Sequence, residues 1–561
     1  MGFSSLEKKL TEITASYSPW PERILIFFSV LLAYSSVWPN EFVFDDVYLI
    51  VNNAFLRHWD DLPKLLTSLN FTGSGVQNQG FYRPIPMLLH FFVYQVFGPS
   101  TAAFHALNIA LQAFNGCLFY RFGFRGGFKK GVAFAAALLW AVHPLHSEAV
   151  AYMSSTPELL WTTFCLLGLT APLPDFTPRK IYQAIIFFIL ALGCKETAVV
   201  FPALAVATLF FVRKDRAHVS AYYRTWPLWA ILAVYVVIWI TYVHMTGYNM
   251  NGATNINGVE DPRFPAYSTS ITNRFFTCLG TLPVYIGLML WPHNLHMERA
   301  FPVFTTLFDW LPMTGALIVI LCLAQIFWGR ARQGLALSFG ILWFTIAHSP
   351  TTGVLFPINA LVSEHWMYLP MIGLLLGILE TVSGLFKKMP IVAVSLVLIM
   401  ALFLGTVTFS QSKNWQNPET LYYNIVDNGG NRYRISEHLA YYYMRHGEFD
   451  EAIEQFQYLT SHTFGRTVPW LTAMHMLTAN AWLHARFDQN DIVTIDEINR
   501  ALPASSHIAE AIQELGQALQ LTPDFYWAHK YLAIIYRYQG NNVMADFHEK
   551  EMKKISQKNA N

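Results

Sequence analysis

The sequence predicts an all-α polytopic membrane protein that ends in a helical repeat domain. Hydrophobic residues make up 54% of its 561 residues and charged residues only 13%, against roughly 25% charge in average soluble chains. Apolar runs of membrane length recur up to residue 410, and charge density rises after it. The mean hydropathy of +0.32 excludes an ordinary soluble protein. The net charge of +1 is too small to give the protein an electrostatic field that attracts nucleic acid, so a nucleic-acid-binding protein is also excluded.

The apolar runs predict the membrane spans. A helix that crosses the hydrocarbon core needs about 20 residues, and about eleven runs approach that length. The segment 81–98 is instead predicted to be an amphipathic helix on the outer surface, because a span there would move Arg121 to Lys130 to the other side of the membrane. The predicted spans are 24–38, 101–122, 131–150, 157–173, 180–194, 197–212, 226–245, 311–328, 334–349, 366–386 and 389–409.

The distribution of lysine and arginine predicts the orientation. Alternate connections are basic, such as Lys8 and Lys9 before the first span and Lys387 and Lys388 before the last, and basic loops stay cytoplasmic. With an odd number of spans, the amino terminus is cytoplasmic and the carboxyl terminus lies in a periplasm, outside the cell or in the endoplasmic-reticulum lumen. We therefore expect a transmembrane domain over 1–410 and a non-cytoplasmic repeat domain over 411–561.

The carboxyl-terminal region has the spacing of tetratricopeptide repeats. Two segments match each other, HLAYYYMRHGEFDEAIEQF (438–456) and YLAIIYRYQGNNVMADFHE (531–549). In both, glycine permits a tight turn and alanine lets paired helices approach closely. A stack of such pairs usually presents a concave surface to a polypeptide.

Two adjacent carboxylates begin the first outer loop. Asp45 and Asp46 follow the first span in EFVFDDVYLIVNN (41–53), between apolar residues. Acids in such surroundings lie at a solvated helix edge or form a functional site. We predict that they are catalytic, one as a general base toward a hydroxyl group and the other orienting it.

Charged residues in other outer segments are predicted to bind a phosphate or a sugar. Arg83 begins the surface helix and offers a forked donor that suits phosphate; the alternative is an interfacial arginine that snorkels. Lys195 and Glu196 lie at a helix end, where they contact substrate or neutralise each other. Glu364 and His365 lie at the outer end of the tenth span.

Two segments share the pattern H-x-x-H-x-E, HPLHSE at 143–148 and HNLHME at 293–298. Imidazole and carboxylate suit a divalent first-row metal, but the spacing differs from the H-E-x-x-H of zinc helices. We therefore predict polar substrate contacts or packing for His143, His146 and Glu148, with no metal or cofactor required. Should a divalent metal bind, its candidate ligands are His143, His146, His293 and His296.

In this order, the motifs resemble those of the transmembrane and tetratricopeptide-repeat (TMTC) O-mannosyltransferases and their bacterial relatives, within the GT-C membrane glycosyltransferases. The similarity covers nearly the whole chain, and the short repeat array favours a prokaryotic member. One departure is SSTPELL (154–160), which replaces the usual Gly-Arg-Asp/Glu-Leu and keeps only Glu158. The matching motifs are FVFDDVYLIVNN (42–53), FYRPI (81–85), FHALN (104–108), HPLHSEAVAY (143–152), KETAVVFPAL (195–204) and SEHWMYLPMIG (363–373).

The resemblance implies an inverting glycosyltransferase for protein O-glycosylation. The donor would be a polyprenyl- or dolichyl-phosphate-linked sugar, mannose or another hexose, and the acceptor a Ser or Thr of a polypeptide held by the repeats. It also implies that the acid pair holds the general base. Two alternatives stay open: a ligase that transfers a whole lipid-linked oligosaccharide, and a non-catalytic membrane scaffold that uses the repeats to assemble an envelope complex.

Overall fold

A computed structural model describes residues 20–75, 81–173, 177–212, 223–246, 264–329, 332–358, 360–462, 468–485 and 493–560. All regular structure in these ranges is helical, apart from one isolated β-bridge between Arg299 and Gly430. The predicted all-α fold class is therefore confirmed. The chain divides into two compact units. Among the described residues, the first unit comprises those within 20–246, Ala266–Met297 and Val303–Asn417, and the second comprises 264–265, Glu298–Pro302 and 418–560.

Helices up to residue 412 vary widely in length. In chain order they are α1 (Trp20–Ala33), α2 (Leu62–Thr67), α3 (Pro84–Phe97), α4 (Thr101–Arg125), α5 (Lys130–Ala141), α6 (Ser147–Ala151), α7 (Thr156–Thr170), α8 (Pro178–Leu192), α9 (Phe201–Val212), α10 (Trp226–Thr246), α11 (Phe264–Thr269), α12 (Ile271–Leu290), α13 (Trp310–Trp328), α14 (Arg332–His348), α15 (Pro370–Val382) and α16 (Pro390–Ser412).

The predicted count of about eleven spans is wrong. By length and composition, four helical segments within the described ranges can cross a membrane: Trp20–Val37, Thr101–Arg125, Trp310–Trp328 and Pro390–Trp415. Hydropathy counts apolar residues but does not detect where the backbone breaks. The predicted span 131–150, for instance, is divided into α5 and α6 by a turn at Pro144–His146.

Other predicted spans are helices too short to cross alone. Each of α7 and α8 has 15 residues, which gives a length of about 22 Å against a hydrocarbon core of about 30 Å. The segment predicted as a surface helix forms α3, which has 14 residues. It ends at Gly98, whose φ of +63° is a conformation that glycine adopts without strain.

A polar stripe on α4 supports the broken helices. Three buried amides spaced by four and three residues, Asn108, Gln112 and Asn115, lie on one face of this long apolar helix. Their NH₂ groups donate to the backbone oxygens of Val150 at 3.2 Å, Ala141 at 2.9 Å and Leu159 at 2.9 Å. Backbone that leaves helical geometry inside a membrane needs internal hydrogen-bond partners. The amides of α4 provide them at the ends of α5 and α6, where Ala141 and Val150 lie, whereas the bond to Leu159 joins α4 to the interior of α7.

The second unit consists of packed helix pairs. α18 (Arg432–His446) pairs with α19 (Phe449–Ser461) across Gly447 (φ +76°). α23 (Tyr526–Tyr538) pairs with α24 (Asn542–Ala560) across Gly540 (φ +75°). The alanines predicted for close helix approach, Ala452 and Ala545, are fully buried. The assignment to tetratricopeptide repeats stays a prediction. The helices are α17 (Pro418–Asp427), α18 (Arg432–His446), α19 (Phe449–Ser461), α20 (Val468–Trp482), α21 (Ile495–Ala501), α22 (Ile508–Leu521), α23 (Tyr526–Tyr538) and α24 (Asn542–Ala560).

Candidate active site

The acid pair lies in the loop between the short turn Ser35–Val37, which follows α1, and the π-helical turn Val47–Val51. Phe44, which precedes it, has φ +51°, a conformation that costs a non-glycine residue roughly 1–2 kcal/mol. The two acids then enter different environments: Asp46 is fully buried, whereas Asp45 is half-buried. Two neighbouring carboxylates are thus distinguished by burial, which is how proteins assign different roles to chemically identical groups.

Asp46 is fixed by hydrogen bonds. Its Oδ1 accepts from the backbone N–H of Ser154 at 2.7 Å and from the Ser154 hydroxyl at 2.5 Å, and its Oδ2 accepts from Val43 N–H at 3.3 Å. Burial raises the pKa of Asp46 to about 7, with a contribution from Asp45, while these hydrogen bonds oppose the rise. Asp46 is therefore well placed to anchor the loop, and less well placed to meet a substrate.

The loop is joined to a turn at residues 152–156. The backbone N–H of Asp45 donates to the Tyr152 hydroxyl at 3.2 Å, and the Tyr152 ring stacks on Trp415 with centroids 5.5 Å apart. The Thr156 hydroxyl donates to Asn108 Oδ1 at 2.8 Å and lies 3.1 Å from His90 Nε2. The amide stripe of α4 thus also holds the turn that supports the acid pair.

Arg83 is paired with Glu196 in the structure. Its Nε and one terminal nitrogen contact the two carboxylate oxygens of Glu196 at 3.1 and 2.7 Å. The guanidinium also lies over the Phe81 ring, 4.1 Å from its centroid. Burial acts against ionisation, but Arg83 keeps the pKa of Glu196 below its usual value. Any anion at Arg83 would share the guanidinium with this carboxylate.

Lys195 forms its ion pair with Glu158, and its charge also helps to keep the pKa of its neighbour Glu196 below the usual value. The Lys195 Nζ and Glu158 Oε2 form a buried ion pair, and Glu158 Oε1 accepts from Trp161 Nε1 at 2.8 Å. The neighbours Lys195 and Glu196 point to different partners because Lys195 is extended (φ −155°, ψ 138°) before the following helical turn.

Glu148 and His365 form a second buried contact. Glu148 accepts from the backbone N–H of His365 at 2.9 Å, from its Nδ1 at 2.8 Å and from the Ser363 hydroxyl at 3.2 Å. Burial alone would raise the pKa of Glu148, but His365 and these hydrogen bonds hold it below its usual value. Glu364, the other predicted residue here, is buried and accepts from His296 N–H at 2.7 Å.

The histidines proposed as metal ligands do not converge. His143 bonds Met289 O through Nε2 at 3.0 Å and accepts from Leu145 N–H at its Nδ1. His146 packs between the rings of Trp140 and Tyr368, and Nδ1 of His293 contacts Trp291 O at 2.9 Å. Across the described ranges, no three His, Cys, Asp or Glu side chains are grouped to hold a metal ion.

Sequence reasoning missed Ser154, Asn108 and Tyr152. Each contacts the acid-pair loop or the turn at residues 152–156 that supports it. Ser154 lies within SSTPELL, and nothing in that segment alone indicates that this serine contacts Asp46. Asn108 carried a usable signal, because polar residues at 105, 108, 112 and 115 recur at helical spacing inside an apolar run.

These observations define an α-helical membrane protein with an acid pair of one buried and one half-buried carboxylate, and with several carboxylate–cation contacts. The relatives found among curated proteins are all named protein O-mannosyl-transferases. One from Caenorhabditis elegans is 25% identical over 424 residues, covering 71% of this chain and 57% of that protein. TMTC4 of Mus musculus is 24% identical, covering 78% and 66%, and TMTC1 of Homo sapiens is 25% identical, covering 76% and 53%.

The chain is thus a relative of the TMTC-type protein O-mannosyl-transferases, as its motifs predicted. It spans between about half and two thirds of the length of these curated relatives. No family model and no solved structure matches it. The relatives are animal proteins, and a prokaryotic origin stays a prediction.

Proposed function

We propose that this protein is an inverting membrane glycosyltransferase of the GT-C class. It transfers a hexose, mannose being the first candidate, from a polyprenyl- or dolichyl-phosphate donor to a Ser or Thr hydroxyl of an acceptor protein on the non-cytoplasmic side. The names of its relatives support a mannosyl transfer to protein. The observation that carries the chemistry is the acid pair, in which a fixed Asp46 supports a more accessible Asp45.

In this reaction, Asp45 is the general base. The acceptor hydroxyl oxygen attacks the anomeric carbon of the donor, and the bond from that carbon to the phosphate oxygen breaks on the opposite face. The phosphate leaves with the bonding electron pair, and the hydroxyl proton passes to the Asp45 carboxylate. Asp46, held by Ser154 and Val43, orients its neighbour. The scheme needs no metal and no cofactor.

The leaving phosphate needs positive charge near it. Arg83 retains donors beyond the two that Glu196 engages. Lys195 forms an ion pair with buried Glu158. Lys195 therefore influences donor binding only by fixing the position of the chain segment that contains it. His365 is the other candidate, and its side chain is 22% exposed. The groups at 143–148 then support this region rather than bind a metal.

The helix pairs of the second unit would hold the acceptor polypeptide. A tethered binding surface raises the local concentration of the acceptor hydroxyl without changing the chemistry. The arrangement requires that the acid pair and the second unit share one non-cytoplasmic compartment, with the amino terminus in the cytoplasm.

A donor panel tests the proposal. The purified full-length protein is incubated with a Ser/Thr-rich acceptor and with polyprenyl-phosphate mannose, polyprenyl-phosphate glucose or a polyprenyl-pyrophosphate oligosaccharide. We expect a mass increase of one hexose from a monophosphate donor. Transfer of an intact oligosaccharide would favour the ligase instead, and no transfer from any donor, with assembly defects after deletion of the second unit, would favour the scaffold.

A further inference from the structure

Arg274 of α12 is a buried cation without an acidic partner. Among the residues that the structure describes, two lysine or arginine residues are buried, Lys195 and Arg274, and Arg274 is 9% exposed. Lys195 forms an ion pair with Glu158. Within the described ranges no carboxylate contacts Arg274, whose guanidinium bonds two backbone oxygens instead. Because a buried charge without a countercharge destabilises a fold, an anionic ligand at this position would be stabilising.

The guanidinium of Arg274 keeps donors for such a ligand. Its Nε donates to Val354 O at 2.9 Å, and its Nη1 donates to Ser268 O at 3.0 Å. These two bonds fix the plane of the group and use two of the five N–H donors that an arginine offers. In the described part of the chain, Nη2 makes no hydrogen bond. The protein therefore orients the side chain and leaves it donors that suit a phosphate.

Exposed apolar side chains lie in the loop that Arg274 contacts. Leu355 and Phe356, which directly follow the residue that accepts from Nε, are 72% and 56% exposed. The loop turns before them at Gly353, whose φ of +68° suits glycine and where a side chain would collide with the Tyr267 hydroxyl. A fixed cation with apolar side chains next to it matches a phosphate attached to a hydrocarbon chain better than it matches a free anion.

The same loop borders the candidate active site. Its first turn, Ser349–Thr351, packs against the turn Glu196–Val200 of that site. Its end is fixed at Ser363, whose backbone bonds the hydroxyl of Tyr285 in α12. Because Arg274 and Tyr285 are about 16 Å apart along this helix, a phosphate on Arg274 occupies a different position from one bound near Ser363.

We propose that Arg274, Leu355 and Phe356 form a binding site for a lipid phosphate, at which a polyprenyl-phosphate carrier is held beside the candidate active site. The guanidinium donates to the phosphate, and the two apolar side chains contact the first part of the hydrocarbon chain. The inference rests on the proposed function for the choice of the polyprenyl carrier. It adds a second phosphate position, where the donor is captured before it reaches the acid pair.

The experiment compares two ligands that differ only in the phosphate. The Kd values of polyprenyl phosphate and of polyprenol are measured for the full-length protein in detergent by native mass spectrometry. The wild-type protein should bind polyprenyl phosphate at least about tenfold more tightly, because hydrogen bonds to charged groups are strong. Arg274→Gln should bind polyprenyl phosphate about tenfold more weakly and polyprenol as before. A loop that is only loosened by the loss of the two carbonyl bonds would weaken both ligands.

Substitution of the apolar pair should have the complementary effect. Leu355→Ser combined with Phe356→Ser should weaken both ligands by the same factor, about tenfold. Arg274→Lys, which keeps the charge, should retain a preference for the phosphate. The matched controls are Arg57→Gln, at an exposed arginine that also donates to a backbone oxygen, and Leu385→Ser, at an exposed leucine. Both controls should bind the two ligands as the wild-type protein does.

Equal affinities of Arg274→Gln and the wild-type protein for polyprenyl phosphate would overturn the inference. It would also be overturned if inorganic phosphate or phosphatidylglycerol competed as effectively as polyprenyl phosphate, because the site would then accept any anion or any anionic phospholipid. The measurement needs no turnover. A protein that binds polyprenyl phosphate through Arg274 but transfers no sugar would contradict the proposed function and leave this inference intact.

Discussion

At the scale of single residues, Asp45 carries the proposed chemistry. Asp45→Asn keeps the side-chain volume but removes the base, so we expect transfer to fall by at least about 100-fold. Because the asparagine does not disturb the bonds of Asp46, the thermal midpoint of the purified protein should stay unchanged. Asp60→Asn, at an exposed acid of the same loop, should transfer normally. Near-wild-type transfer by Asp45→Asn would show that another group accepts the proton.

The contrast between the acid pair and the charged pairs shows what the sequence can predict at this scale. Asp45 and Asp46 are adjacent in the sequence, so the sequence alone establishes that they lie close together. The partner of Arg83 lies 113 residues away and that of His365 lies 217 residues away. Such pairings depend on how the helices pack, and no local pattern encodes them. For the neighbours Lys195 and Glu196, the sequence left substrate contact and mutual neutralisation open and did not indicate Glu158 or Arg83 as partners.

At the scale of elements, the amide stripe of α4 should stabilise the first unit. Gln112→Leu fits an apolar position but leaves the Ala141 carbonyl at the end of α5 without its donor. Since an unsatisfied buried carbonyl costs about 1–3 kcal/mol, we expect a lower thermal midpoint in detergent. Phe114→Leu, at an exposed position of the same helix, should leave it unchanged. Equal midpoints for Gln112→Leu and wild type would mean that water replaces the amide.

In the second unit, α23 and α24 should separate more readily in acid. Nδ1 of His529 lies 2.8 Å from Nδ1 of His548, and His529 Nε2 contacts Pro523 O at 3.0 Å. One proton serves both Nδ1 atoms, so a second proton on the accepting Nδ1 would break the contact. Burial, together with His529, lowers the pKa of His548 to about 4.

Because the unfolded value is about 6.5, the stabilisation is present above that pH and is lost as pH falls toward 4. We expect hydrogen exchange of residues 526–560, corrected for intrinsic rates, to accelerate about tenfold between neutral pH and about pH 5. His548→Gln should remove this acceleration, whereas His446→Gln, at an exposed histidine of α18, should retain it. An acceleration that persists in His548→Gln would assign it to another group.

At the scale of the whole molecule, hydropathy predicted the class but not the architecture. The four long apolar helices were all found among the predicted spans. The shorter apolar segments were wrongly counted as spans, because the helix is interrupted within them. The turns at Pro144–His146, in HPLHSE, and at Met153–Ser155 are two such interruptions. Apolar composition indicates that a segment is shielded from water. How long the segment continues as a single helix depends instead on tertiary contacts, such as those of the α4 amides.

The proposed topology has its own test at this scale. If the first outer loop and the second unit share a compartment, Asp60→Cys and Gln557→Cys should react with an impermeant maleimide from the same side of sealed vesicles. Both positions are exposed, and the wild-type protein controls for its five native cysteines. Labelling from opposite sides would exclude the proposed transferase.

The order of segments along the chain also gives the α4 stripe a role during synthesis. A ribosome completes α4 before it makes residues 130–170, so the amides enter the lipid before the interrupted backbone that needs them. The short helices that follow are poor candidates for independent partitioning, because their open carbonyls would meet hydrocarbon. We therefore expect α4, which contributes no group to the proposed reaction, to serve as the template on which these short helices assemble.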